Sequence, residues 1–254
     1  MSDCKGIASY CQECGACEVS AGNGNDFSDP NLIEMIVDEV VRTIHGEAGE
    51  DKPESTLPLI PLGVSNRHIH LTRETFEKLF GAGADLERYR DLYQPGDIAA
   101  KQTLTIVGSK LRAIPNVRIL GPLRNYDQVE LSLTDAVTLG INPPIRNSGD
   151  LKGAAPLTLV GPKGSVYLEE CAIIAIRHMH IPSDIANQFG VEDGDYCKVR
   201  ISGKKSTIFE NVLVRINDAW KLQLHLDTDD ANAANVRCDT KVEFIGKMQA
   251  DIGL

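Results

Sequence analysis

The feature that most restricts how this chain can fold is an internal repeat. Asn66-Arg67-His68-Ile69-His70-Leu71-Thr72 is echoed by Ile176-Arg177-His178-Met179-His180-Ile181-Pro182, and each copy runs on to a Phe-Gly pair, Phe80-Gly81 and Phe189-Gly190. Pro95-Gly96-Asp97 then matches Asp193-Gly194-Asp195. Later, Glu130-Leu131-Ser132-Leu133-Thr134-Asp135-Ala136 lines up with His225-Leu226-Asp227-Thr228-Asp229-Asp230-Ala231. The spacing between copies falls from 110 residues at the triplets (68 to 178) to 95 at the last block (130 to 225), as loop deletions would produce. Matched landmarks in the same order imply two copies of one unit, and therefore two related modules.

Each copy supplies two histidines early and one further potential ligand late, Glu130 in the first and His225 in the second. In a strand, residues i and i+2 share a face and lie roughly 7 Å apart along the backbone, so both imidazoles of a triplet can converge on one ion or serve two neighbours. Imidazole with a carboxylate suits zinc, and also nickel, cobalt or iron. Catalytic zinc sites keep a position open for water or substrate. His68, His70, Glu130, His178, His180 and His225 would make two three-ligand sites between pseudo-twofold halves. The competing reading is that these are ordinary core or surface histidines. It would be preferred for a lone His, but five of the chain's six histidines obey the pattern.

From Leu59 onward short β-rich runs recur at 104–107, 117–120, 129–133, 157–160, 172–176, 197–201, 212–216, 222–226 and 242–245. Turn segments such as Gly161-Pro162-Lys163-Gly164 and Ser202-Gly203-Lys204 punctuate them. Many short strands with regular turns point to barrels or sandwiches. Helical stretches are few and brief, at 72–80 and 182–189. The 254 residues, 42% of them apolar, can build one large or two small cores. No apolar run approaches the roughly 20 residues of a membrane helix, and the start lacks a basic region followed by an apolar one. An intracellular protein is expected. A net charge of −10 argues against general nucleic-acid binding, though not against a local cationic pocket for a phosphorylated ligand.

The first 58 residues read differently. A Cys-rich flexible head, residues 1–28, carries Cys4, Cys11, Cys14 and Cys17, whose C-x2-C-x2-C core fits either part of an iron–sulfur ligand set or incidental thiols. Asp29 as N-cap, Pro30 at the first helical position and apolar residues at 32, 33, 36, 37, 40, 41 and 44 predict an amphipathic helix over residues 29–46. The charged, aperiodic segment 47–58 reads as a linker. Such a helix either packs on the body or docks its apolar face on a partner, and the linker favours docking. Cys171, Cys197 and Cys238 look like ordinary buried thiols.

Basic residues flank the candidate ligands. A guanidinium fork suits phosphate. Arg124, six residues before Glu130, is the best placed for that role. Arg146 precedes Asn147-Ser148-Gly149-Asp150, and Arg67 and Arg177 serve equally well as surface ion-pair partners.

The ordered motifs resemble one family. Gly63-Val64-Ser65-Asn66-Arg67-His68-Ile69-His70-Leu71, Gln94-Pro95-Gly96-Asp97-Ile98-Ala99-Ala100-Lys101, Gly121-Pro122-Leu123-Arg124, Gln128-Val129-Glu130-Leu131-Ser132, Arg146-Asn147-Ser148-Gly149-Asp150, Arg177-His178-Met179-His180 and His225-Leu226-Asp227-Thr228-Asp229-Asp230-Ala231-Asn232 are similar to the signatures of the PduL-type phosphotransacylases, or phosphate propanoyltransferases. The resemblance covers about 59–245.

It implies a mainly β fold of two related β-barrels capped by short α-helices, with the first copy (67–175) inserted into a barrel made of 59–66 and 176–254. It implies two zinc ions on the six residues already singled out, phosphate at Arg124, Ser148 near the reaction pocket, and CoA contacts at Ser65, Arg118, Leu120, Asn232 and, in a looser alignment, Arg90. The implied reaction exchanges CoA and phosphate on a short acyl group, propanoyl or acetyl. The helix at 29–46 resembles an encapsulation peptide, which implies packaging with shell or core proteins of a bacterial microcompartment, with the cytoplasm as the alternative. A homo-oligomer is expected. The Cys-rich head departs from the family pattern.

Direct attack of phosphate on a metal-assisted thioester is the expected mechanism, because no cysteine accompanies the motifs as an acyl carrier. The alternatives are a metal-dependent thioester hydrolase, which would need no phosphate, and a non-catalytic scaffold or redox module organised by the N-terminal cysteines.

Overall fold

A computed structural model of the protein describes residues 57–248. The head, the helix at 29–46 and most of the linker lie outside the described residues. Two six-stranded rings account for most of the rest. The middle barrel closes in the order β4 (Ile98–Val107), β5 (Ala113–Gly121), β2 (His68–His70), β6 (Gln128–Leu131), β9 (Ser165–Ala175) and β8 (Ala155–Val160), with β8 returning to β4. Strands β3 (Arg88–Asp91) and β7 (Ile145–Arg146) extend it from β4 and β9. The terminal barrel runs β1 (Ile60–Ser65), β13 (Gln223–Asp227), β10 (His178–Ile181), β12 (Thr207–Ile216), β11 (Tyr196–Ile201) and β14 (Lys241–Lys247).

The pairings repeat one for one. β2 is parallel to β5 and antiparallel to β6, as β10 is to β12 and β13. β9 lies parallel to β6 and antiparallel to β8, as β1 does to β13 and β14. Strand β9 therefore plays in the middle barrel the part that β1 plays in the terminal one. In the chain, however, β1 leads into β2 and β9 into β10. Each repeat thus gives its first strand to the other repeat's barrel.

The period of 2 in the triplets explains what they do in these rings. Ile69 and Met179, the middle residues, are fully buried, one in each barrel core. The flanking histidines point the other way, toward the seam between barrels. The middle core collects Leu104, Ile106, Ile119, Val129 and Leu157, with Phe76 and Leu79 sealing it. The terminal core collects Ile60, Leu62, Val199, Val212, Val214, Leu224 and Leu226. Each such aliphatic side chain contributes about 1.5–3 kcal/mol of transfer free energy, so the triplet strands are anchored by their middle residues.

Each of the four strands that bear candidate ligands runs directly into a helix: α1 (Arg73–Phe80), α2 (Leu133–Leu139), α3 (Ser183–Phe189) and α4 (Thr228–Ala234). The helices at 72–80 and 182–189 were expected; α2 and α4 were not. The β-rich run at 129–133 stops at Leu131 because Ser132 turns out of the strand and forms a reciprocal capping box with Asp135. Asp227 also caps its helix, α4, its side chain accepting from the Asp230 amide at 2.8 Å. Pro182 offers no such oxygen, and Asp218 supplies it from outside, accepting from the Ser183 amide at 3.0 Å. Among the described residues no helix is long and apolar enough to cross a membrane.

Candidate metal centre between the barrels

The ladder registers put the candidate ligands opposite one another. His68 pairs with Glu130 across β2 and β6, and His178 pairs with His225 across β10 and β13. In the middle barrel His68 Nε2 lies 3.3 Å from Glu130 Oε2. One ligand atom from each of His68, His70 and Glu130 falls within a common 4.8 Å, and all three residues are buried. In the terminal barrel the rings of His178, His180 and His225 stand 4.7–4.9 Å apart between centroids. A cleft lined by Ser65, Asn66, Glu130, His178, His225 and Asp227 joins the two groups.

Hydrogen bonds to the first histidine of each triplet are duplicated. Asn66 carbonyl lies 2.8 Å from His68 Nδ1, and Ile176 carbonyl 2.8 Å from His178 Nδ1. A carbonyl there holds the proton on Nδ1 and leaves Nε2 with a free lone pair, the arrangement usual for metal-bound imidazole. By contrast, His70 Nδ1, both ring nitrogens of His180 and His225 Nε2 are buried with no hydrogen-bond partner. Buried polar atoms without partners are costly, so these four nitrogens call for an occupant. The converging nitrogen and carboxylate donors of His68, His70 and Glu130 fit a zinc-like ion, and His178, His180 and His225 offer imidazole donors alone.

Burial sets the charge of the cluster. It pushes His70 down to about 2, helped by the nearby His68 and Arg124. It pushes His180 down to about 3, helped by His178 and Arg215. His178 and His225 are lowered too, first by burial and with Arg215 contributing. The imidazoles of His70, His178, His180 and His225 are therefore neutral and ready as ligands at neutral pH.

Arg124 sits beside this centre. Its amide donates to Leu71 carbonyl at 2.8 Å, and its Nη1 donates to the Tyr126 hydroxyl at 2.5 Å. It has no carboxylate partner in an ion pair among the described residues, which leaves donors for an anion. Asp97 feels its charge; burial raises the Asp97 carboxyl, against the pull of Arg124 and His68. Ser148 joins the centre through Gln128, a fully buried amide. Gln128 Nε2 donates to Glu130 Oε1 at 2.7 Å and to Ser148 Oγ at 2.8 Å, while its Oε1 accepts from the Gly149 amide at 2.7 Å. One side chain thus orients a candidate ligand and the Ser148 loop.

The other residues singled out from the sequence distribute unevenly. Ser65 lines the cleft. Arg118 is in register with His68, donates to the Ala100 carbonyl at 2.5 Å and lies 4.9 Å from the Tyr89 ring. The Leu120 backbone stands beside the His70 ring. Arg90 is exposed on β3, and Asn232 is exposed on α4, where its carbonyl accepts from Lys205 at 3.4 Å. Arg67 and Arg177 are ion-paired to Asp135 and Asp230, the capping-turn acids of α2 and α4, the second pair at 2.6 Å. Arg146 lies 3.7 Å from Asp150. Two residues escaped sequence reasoning. Arg215 pairs with His180 in the β10–β12 register, and Trp220 stacks on His180 with centroids 4.1 Å apart. Neither falls in a repeated motif, since the first repeat has Leu120 where the second has Arg215. The strand register reveals Arg215, and the ring contact with His180 reveals Trp220.

Two fused barrels with a buried His/Glu cluster in their shared seam define an enzyme built by duplication of one barrel unit. The chain belongs to the phosphate propanoyltransferase family, whose sequence profile matches residues 61–237. Relatives with that name include a protein of Lachnoclostridium phytofermentans, 47% identical over 85% of this chain and 100% of its own length. Another, from Thermotoga maritima, is 51% identical over 70% of this chain and 84% of its own. A third, from Rhodobacter capsulatus, is 45% identical over 84% and 94%. The chain is accordingly a transferase of acyl groups.

Proposed function

We propose that this protein interconverts a short-chain acyl-CoA plus phosphate with acyl phosphate plus CoA, propanoyl or acetyl being the acyl group. Two zinc-like ions would be held by His68, His70 and Glu130 and by His178, His180 and His225. The observation that carries this reading is the set of four buried, unpartnered imidazole nitrogens in a seam that also presents the Arg124 guanidinium, bonded to the Tyr126 hydroxyl and without a carboxylate partner among the described residues. When bound, such an ion supplies Lewis acidity to a thioester carbonyl or a template for phosphate.

The residues of the chain do the rest. Arg124 holds phosphate by charge-assisted hydrogen bonds and offsets its charge. Ser148 Oγ already accepts from Gln128, so its own proton is free to be donated to a substrate oxygen. A phosphate oxygen forms a bond to the carbonyl carbon as the C–S bond breaks, and the thiolate leaves with the electron pair and takes up a proton. Direct transfer is favoured over a cysteinyl intermediate. Burial pushes the Cys171 and Cys197 thiols up to about 12, each inside a barrel core where no substrate reaches, whereas Cys238, expected to be buried, is exposed with its Sγ accepting from the Val64 amide at 3.4 Å. Holding both substrates in one seam converts a bimolecular step into a positioned one.

The deciding assay is CoA release from acetyl- and propanoyl-CoA with and without phosphate, with acyl phosphate trapped and metal content measured on the same sample. Phosphate-dependent release with accumulating acyl phosphate is expected. Release independent of phosphate would establish a metal-dependent thioester hydrolase instead. Packaging in a bacterial microcompartment through residues 29–46, rather than free residence in the cytoplasm, and assembly as a homo-oligomer belong to the same proposal.

A further inference from the structure

We infer that Gln94 is a positioning residue that reaches from the middle barrel to set His180 and Trp220 in the terminal barrel. Gln94 lies in the turn between β3 and β4, where its carbonyl accepts from the Asp97 amide at 3.3 Å and Asp97 carbonyl accepts from the Leu92 amide at 3.0 Å. The turn that carries Gln94 therefore also places Asp97 near Arg124. The Gln94 side chain is buried, 4% exposed, and all its hydrogen bonds cross to the other barrel. Its Nε2 donates to Lys221 carbonyl at 3.0 Å and to Gln223 Oε1 at 3.3 Å, and its Oε1 accepts from the Lys221 amide at 3.0 Å. The amide thus copies the donor–acceptor pair that a neighbouring strand would offer to Lys221.

What it grips is the segment that shapes one ligand group. Lys221 follows Trp220, whose ring covers His180 at 4.1 Å and takes the Arg215 guanidinium at 5.4 Å. Gln223 stands opposite His180 in the β10–β13 register, and it is wedged against Gly63, where a Cβ would come within 2.7 Å of Gln223 Nε2. The repeat supplies a control. Gln128 occupies the equivalent register position, opposite His70, yet it turns to Glu130 and Ser148 within its own barrel. The terminal barrel's glutamine is instead held by Gln94, so its ligand group takes its geometry partly from the other half of the molecule.

Trp220 is the chain's single tryptophan, so its emission reports this contact directly. The test compares the full chain with its Gln94→Leu variant, which keeps volume and removes both amide groups. Native tryptophan emission, its change on adding zinc, far-UV circular dichroism and steady-state kinetics are measured together. The expected result is a shifted native emission, a weakened response to zinc, an unchanged far-UV spectrum and a kcat lower by about ten- to hundredfold. Unchanged native emission, or a shifted emission with unchanged kcat, would overturn the inference. If Gln94→Leu does not fold, Gln94→Glu is read in the same way, since it keeps the acceptor for Lys221 and loses both donated bonds. Only the kinetic arm rests on the proposed acyl transfer. A parent protein without that activity would refute the transfer reading, and the emission arm would still decide the role of Gln94.

Discussion

Glu130 and His225 occupy the same position of one duplicated barrel, each directly across an antiparallel ladder from the first histidine of its triplet. The two candidate ligand groups thus share one register with different donors, one including a carboxylate and the other all-imidazole. Glu130→Ala is expected to lower bound metal by one ion per chain and to abolish acyl transfer. Gln128→Met, which removes the amide that steadies Glu130, should weaken that ion by about 10–100-fold. Metal analysis after titration with a chelator checks both, and an undisturbed affinity in the Gln128 variant would refute the role given to it.

Arg124→Ala should leave metal content and the KM for acyl-CoA where they were. Losing a charge-assisted contact worth about 1.5–3 kcal/mol should raise the KM for phosphate by about 10–100-fold. Phosphate saturation curves that superimpose on those of the parent would remove Arg124 from the phosphate site.

Acid should destabilise the metal-free protein. In the unfolded chain these histidines titrate near 6.5, whereas folded His70 lies at about 2 and folded His180 at about 3. Between those values the unfolded state binds protons that the folded state rejects. Stability is therefore full above about 6.5 and is lost as pH falls below it, by at most about 1.4 kcal/mol per pH unit for each histidine. Urea midpoints at about pH 7.5 and about pH 5.5 should differ clearly, the acid one being lower. A flat or inverted profile would contradict the burial argument.

Removing residues 1–50 should leave turnover of the barrels intact and abolish packaging into a microcompartment. Kinetics of the truncated chain, together with its cellular location, separate the two effects. Loss of turnover would instead favour the reading in which the N-terminal cysteines organise the function.

Much of the site was legible because repetition exposed it. The alignment of the halves selects Glu130 as the counterpart of His225, and the ladder sets it directly across from His68. The period of 2 in His68-Ile69-His70 puts both imidazoles on one strand face, and the structure buries Ile69 on the other. The helices α2 and α4 were missed because a four-residue cap, Ser132 to Asp135 or Asp227 to Asp230, ends a strand without any change in hydrophobic period. Arg215, Trp220 and Gln94 were not assigned roles because each acts across a strand pair or across the seam. Contacts of that kind leave no mark on local spacing.

The exchange of first strands has a consequence for synthesis. Ile60 pairs with Val242, about 180 residues later, so the first stave of the terminal barrel leaves the ribosome long before its neighbours exist. That barrel closes only after β14 has emerged, while the middle barrel, whose staves all lie between 68 and 175, is complete far earlier. Folding of the terminal barrel is thus deferred until β13 and β14 have been synthesised, and β1 must wait with an unpaired edge, the stage at which an apolar strand is most open to misassembly.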